Sequence, residues 1–227
     1  YAIKNLSLDI PEGKVTAIVG ESGSGKTTLI KLLQGFYKPN SGTIKVGGIS
    51  LDCINPHLWR KSTGSVMQES YIFSDTIAKN IALSTDEVDV KRLYDSALLA
   101  NADEFISALP LGYNTRIGME GSGVSQGQRQ RLLIARAIYK NPKYLFFDEA
   151  TNSLDATNER IIMENLQKIF QNRTVVIAAH RLSTVMNADN IVVMKKGEIV
   201  EQGTHSELVA LRGHYYTLVK NQLELGK

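Results

Sequence analysis

The sequence has little cysteine, no long apolar run and no dominant charge, and each shortage excludes something. A single cysteine, Cys53, stands among 227 residues, so no intrachain disulfide can close and no thiolate-based metal site is expected. The longest apolar runs, Tyr144–Phe147 and Val175–Ala179 among them, fall far short of the ~18 residues a membrane-crossing helix requires. They have the length of buried strands instead. Neither charge sign prevails: 26 Lys and Arg face 23 Asp and Glu, for a formal net charge of +3. That balance gives no electrostatic reason to expect a nucleic-acid partner. What the sequence does have is 43% hydrophobic and 22% charged residues, enough for a packed core. No secretory-signal pattern is visible within the sequence, and its opening, Tyr1-Ala-Ile-Lys-Asn-Leu-Ser-Leu8, predicts a segment of a longer polypeptide.

The order of elements predicts an α/β fold. Leu6, Leu8 and Ile10 alternate with polar residues, and Pro11-Glu-Gly13 turns the chain. Val15–Val19 is a short apolar strand, followed after a glycine-rich loop by Leu29, Ile30, Leu32 and Leu33 at helical spacing. Gly42–Val46 reads as a strand, and Ile77–Tyr139 as mostly helical. Tyr144–Phe147 and Thr174–Ala179 read as strands flanking a helix over Asn158–Phe170. A hairpin turned at Lys196-Gly197 spans Asn190–Glu201, and an amphipathic helix Ser206–Leu225. Strand, loop, helix and further strands imply a parallel sheet, to which a β-rich start and a helical middle are added.

Two motifs carry chemistry on their own. Gly20-Glu21-Ser22-Gly23-Ser24-Gly25-Lys26-Thr27-Thr28 matches the phosphate-binding loop in full. Its glycines let backbone N–H groups turn inward around phosphate oxygens, and the helix that follows points its positive end at the anion. Lys26 has the reach for the β- and γ-phosphates, and the Thr27 hydroxyl suits a Mg²⁺ shell. Tyr144-Leu-Phe-Phe-Asp-Glu149 is a buried strand ending in two acids, which sets both at the carboxyl edge of a parallel sheet. Asp148 is then a metal ligand, directly or through water, and Glu149 the group facing an attacking water.

Further motifs complete a family pattern. Val124-Ser-Gln-Gly-Gln128, Asp148-Glu-Ala-Thr-Asn-Ser-Leu-Asp155, Ala179-His-Arg181 and Val66-Met-Gln-Glu69 follow in a characteristic set. With the phosphate loop, they resemble the ATP-binding cassette family over nearly the whole chain. The resemblance implies a P-loop NTPase (RecA-like) core with an N-terminal antiparallel β subdomain and an inserted helical subdomain over about residues 77–140. It makes residues 1–227 one nucleotide-binding domain, excised from a longer membrane protein. It also implies roles: Gln68 as the glutamine joining metal and attacking water to the helical part, His180 as the switch histidine, Asp155 in the D-loop. Ser125, Gln126, Gly127 and Gln128 stand as the signature that meets the γ-phosphate held by a partner subunit. Read alone, Gln68 is an ordinary polar residue at a strand end, and Gly127-Gln128-Arg129-Gln130-Arg131 a charged helix start. His57, His205 and His214 read as structural.

The resemblance further implies ATP and Mg²⁺ as cofactors, a homodimer with two ATP molecules between subunits, and hydrolysis that powers transport. Phe73–Ile81 and Thr115–Gly118 with Gly121 are similar to exporter segments, the first being where such domains meet transmembrane helices. Ile134–Pro142 is similar to bacterial peptide or bacteriocin exporters, some with a peptidase domain. The expected place is the cytoplasmic face of the bacterial inner membrane. A soluble mechanoprotein of the same family is the competing reading. It is disfavoured because the chain has no heptad array and no basic arms. Three features depart from the pattern: Gln126 replaces a usual glycine, Met119 a usual acid, and only 25 residues precede Lys26. The adenine-stacking aromatic is therefore expected to lie upstream, with Tyr1 the remaining candidate.

Overall fold

The computed structural model describes residues 2–83, 87–118, 123–150, 154, 156–179 and 185–225. A six-stranded sheet organises them. Its strands are β1 (Val15–Val19), β4 (Thr63–Val66), β7 (Tyr144–Asp148), β8 (Thr174–Ala178), β9 (Asn190–Lys195) and β10 (Glu198–Gly203). The order is β10-β9-β1-β8-β7-β4, parallel throughout except for β10, which pairs antiparallel with β9. The other strands form two small antiparallel pairs. They are β2 (Lys45–Val46) with β3 (Ile49–Ser50), and β5 (Asp75–Thr76) with β6 (Arg116–Ile117). The fold is α/β, as the element order predicts.

The period-two geometry of a strand explains why the central runs are apolar at successive positions and not only at alternate ones. Ala17, Val19, Leu145, Phe147, Val175, Ile177, Ile191 and Val193 join one core. Ile18, Phe146, Val176, Ala178, Val192 and Met194, their immediate neighbours in sequence, join another on the opposite face. The first core also takes in α3 (Ile77–Ala82), α4 (Val90–Leu99), α6 (Gln126–Tyr139) and α7 (Ala156–Phe170). The second takes in α1 (Lys26–Leu33) and Trp59 of α2 (Pro56–Ser62).

Three expectations need adjustment. The alternating Leu6, Leu8 and Ile10 form no ladder; they lie partly buried on the second core, which satisfies their pattern without strand pairing. The mostly helical stretch is broken up. Beyond α3 and α4 it holds α5 (Asp103–Ser107) and, across β6, the long α6. The terminal helix is two helices, α8 (His205–Leu211) and α9 (His214–Leu225). Arg212 turns left-handed at φ 52°, and the Glu201 carboxylate of β10 accepts from the amides of His214 and Tyr215 at 2.5 and 2.9 Å. An anion at that point caps a new helix start rather than letting the old one continue. Among the described residues, no helix is long and apolar enough to cross a membrane.

Candidate active site

The carboxyl ends of β1 and β7 carry the two motifs, two strands apart with β8 between them. From β1 the chain enters the loop Gly20–Gly25 and then α1. Space as well as backbone freedom demands glycine at Gly20. A Cβ there would stand 2.2 Å from the carbonyl oxygen of Met194 and 2.8 Å from Ser24 Oγ. Gly25 precedes α1 at φ 107°, a conformation that side chains rarely adopt. Glu21, Ser22 and Gly23 are exposed along the loop rim, and Thr27 and Thr28 half-buried in the first turn of α1. No acid occupies that first turn, so its amides face the loop with their positive field uncompensated.

Lys26 is buried, and its Nζ donates to the carbonyls of Gly20 and Glu21 at 2.9 and 3.0 Å. Burial lowers its pKa, while the negative charges of Glu149 and Asp148 act the other way. Those same carboxylates show that the loop and the end of β7 share one electrostatic site. Asp148 is 1% exposed, and neither of its carboxylate oxygens closes a hydrogen bond of ordinary geometry. Burial pushes its pKa up and Glu149 adds to the rise, against the Thr27 hydroxyl, Lys26 and Lys31. A buried carboxylate with two unused oxygens beside a threonine hydroxyl is a donor set for a hard divalent cation. Asp148 and Thr27 fit Mg²⁺ on that ground.

Glu149 is half-buried and takes a left-handed backbone at φ 54° while its N–H donates to Ala178 O at 3.0 Å. A left-handed glutamate costs about 1–2 kcal/mol, and here the β7–β8 ladder that ends at Asp148↔Ala178 holds it there. The strain turns Glu149 out of the strand direction just past Asp148. Gln68 is exposed, two residues beyond β4, the strand paired with β7. His180 and Asp155 lie outside the described residues, as do Tyr1, Met119 and Gly121.

The signature run opens α6. Ser125 is its N-cap: Ser125 Oγ accepts from the Gln128 amide at 3.1 Å, and Gln128 Oε1 accepts from the Ser125 amide at 2.9 Å. This capping box engages the Ser125 N–H within its own subunit, so the anion-facing donors of the turn are the amides of Gln126 and Gly127. Gln126 sits at the first helical position with ordinary helical backbone and an exposed side chain. The missing glycine therefore imposes no backbone strain. Gln130, one turn on, donates to Ala150 O at 2.5 Å and ties α6 to the residue after Glu149.

Two arginines that sequence reading left without a role fasten α6 to the segment after Gln68. Arg129 donates to Ser70 O. Arg136 donates to Asn80 O and Tyr71 O, each at 2.7 Å, and to Asn80 Oδ1 at 3.1 Å, and lies over the Phe73 ring at 5.4 Å. Burial and Arg129 push the Arg136 pKa down to about 10, which leaves it charged at neutral pH. No local signal marks Arg136, because its partners lie 56 and 65 residues earlier.

Comparison with known proteins agrees with this geometry. The family described as ABC transporter matches residues 3–152. The leukotoxin translocation ATP-binding protein LktB of Mannheimia glucosida is 51% identical over 223 residues, covering 98% of this chain and 31% of the relative. LktB of Bibersteinia trehalosi is similar to the same extent, 51% over 223 residues. The chain thus spans about a third of the length of these relatives. Among solved structures, a bacterial Atm1-family ABC exporter with ATP bound superposes with a TM-score of 0.94 at 37% identity, covering 98% of this chain and 39% of that one. A matched family profile over most of the chain, relatives at half identity and a superposable exporter fold lead to one conclusion: the chain belongs to the ABC transporter family.

Proposed function

We propose that this chain is the ATP-binding and ATP-hydrolysing domain of a membrane exporter, one that moves peptides or proteins. The carrying observation is the orphaned, buried Asp148 carboxylate beside Thr27 and the Lys26 loop, with the strained Glu149 next in sequence. The loop amides and Lys26 bind and orient the triphosphate. Mg²⁺, held by Thr27, Asp148 and Gln68, would neutralise phosphate charge. Glu149 accepts a proton from the attacking water, and His180 and Asp155 complete the site by resemblance. LktB relatives named for leukotoxin translocation support a polypeptide cargo.

The partners follow from what one subunit leaves unused. Gln126 and Gly127 offer helix-start amides, so a second copy related by a twofold axis would bring them to the γ-phosphate on the first copy's loop. Tyr71, Phe73 and Leu83 are exposed apolar residues on and beside the segment clamped by Arg129 and Arg136, which suits docking of a transmembrane domain. The helical part over about residues 77–140 would carry this segment, and the domain would sit on the cytoplasmic face of the bacterial inner membrane. The test is Glu149→Gln with ATP and Mg²⁺ in light scattering. Removing the base and one negative charge facing the γ-phosphate should yield a long-lived dimer. A monomer at tens of micromolar protein would overturn the sandwich.

A further inference from the structure

The phosphate loop does not stand alone at the end of β1; it rests on a stack of two other segments. The first tier beneath it is the tip of the β9–β10 hairpin. Gly197 N–H donates to Ser24 O at 3.0 Å, and the Met194 carbonyl stands where a Cβ on Gly20 would have to go. The second tier is the N-terminal segment. Lys4 N–H donates to Gly197 O at 2.8 Å, while Ala2 O lies 2.8 Å from the place of a Cβ on Gly25 and 2.6 Å from that of one on Gly197. The Ile3 side chain and the Met194 methyl also close on Gly25.

The hairpin tip is built for this approach. Lys196 and Gly197 take φ 51° and 86°, the successive left-handed pair of a tight hairpin turn. Gly197 thereby presents its N–H to the loop and its carbonyl to the opposite tier, with no side chain between. Ser24 O is the carbonyl of a residue inside the cradle, so its partner helps decide which way the neighbouring peptide groups face. Those peptide groups are the phosphate donors.

We propose that Gly197, together with the Ala2–Lys4 segment, is a positioning element for the phosphate loop: it fixes the orientation of the Ser24–Gly25 peptide and thereby sets nucleotide affinity. The inference rests on reading Gly20–Thr28 as the nucleotide site. Gly197 touches no phosphate itself. It acts through the loop backbone, so its loss changes affinity more than the chemistry of molecules that have bound.

Calorimetric titration of the chain with ATP and Mg²⁺, combined with steady-state hydrolysis, tests it. Gly197→Ala places a methyl against Ala2 O and should raise Kd and KM for ATP about tenfold, the scale of a small misplacement in a preorganised site, with kcat within about twofold. A merely structural defect would lower the binding stoichiometry and leave the affinity of the surviving molecules unmoved. Lys4→Pro removes the donor of the second tier without altering the hairpin and should raise Kd about threefold, as one supporting hydrogen bond is lost. Lys196→Asn keeps the left-handed turn and should leave both constants unchanged. Wild-type affinity in folded Gly197→Ala would overturn the proposal. Should that variant fail to fold, unchanged affinity in Lys4→Pro would do so. An equal shift in Lys196→Asn would assign the effect to the hairpin's stability and refute it too. No ATP binding by the unsubstituted chain would overturn the nucleotide reading and this inference with it.

Discussion

Replacing Asp148 by asparagine should stabilise the nucleotide-free protein while damaging the site. The carboxylate is buried at 1% exposure and both oxygens lack a well-formed hydrogen bond. An unsatisfied buried polar group costs about 1–3 kcal/mol, more when charged. Lys26 and Lys31 return part of this and Glu149 takes some away, and the balance raises the pKa. The charged form is therefore disfavoured by folding, and a neutral amide of the same shape should gain about 1–2 kcal/mol. For a chain of this size that is a rise in Tm of about 2–8 °C. The sign fixes the pH dependence. Folded wild type holds the Asp148 proton more tightly than unfolded chain does, so its stability falls as pH rises through the raised pKa. The amide does not titrate. The gap between the two proteins should therefore be open at about pH 8 and close as pH falls toward the ordinary aspartate range. ATP with Mg²⁺ should invert the order, since ligand at a hundredfold excess over Kd adds about 2.7 kcal/mol to a protein that binds it. Thermal unfolding followed by circular dichroism at several pH values, with and without nucleotide, reads all of this. An Asp148→Asn protein that melts at or below wild type near pH 8 without nucleotide would refute the reasoning.

Lys26→Ala should weaken ATP binding by about 1.5–3 kcal/mol, roughly ten- to a hundredfold in Kd, measured by calorimetry. Unchanged affinity would remove Lys26 from the phosphate site. Arg136→Ala should lower stability by about 2–4 kcal/mol, because Asn80 O and Tyr71 O lose their guanidinium donors within a packed segment. Arg136→Lys should recover little of that, as a single ammonium cannot span the three acceptors, and chemical denaturation of both variants distinguishes the cases. Full recovery with lysine would mean that charge alone, and not the fork, holds the segment.

Amino-acid sequence alone determined the parts whose physics is local. Val15–Val19, Tyr144–Asp148 and Thr174–Ala178 were legible because a strand buried on both faces reads as a nearly continuous apolar run. The phosphate loop was legible because its glycines, lysine and threonine act within a few residues of one another, and Asp148 and Glu149 because they end a buried strand. Only the tertiary structure decided the rest. Leu6, Leu8 and Ile10 have a strand's alternation, yet a core face and not a neighbouring strand satisfies it. The break before His214 is made by Glu201, thirteen residues away on an edge strand. Glu149 turns left-handed because the β7–β8 ladder ends beside it, and Gly197 reaches Ser24 across more than half the chain. These features depend on which distant backbone groups arrive within hydrogen-bonding range. A one-dimensional pattern carries the preference of each residue for burial or turning, but the identity of the partner is set only when the sheet closes and the helices pack upon it.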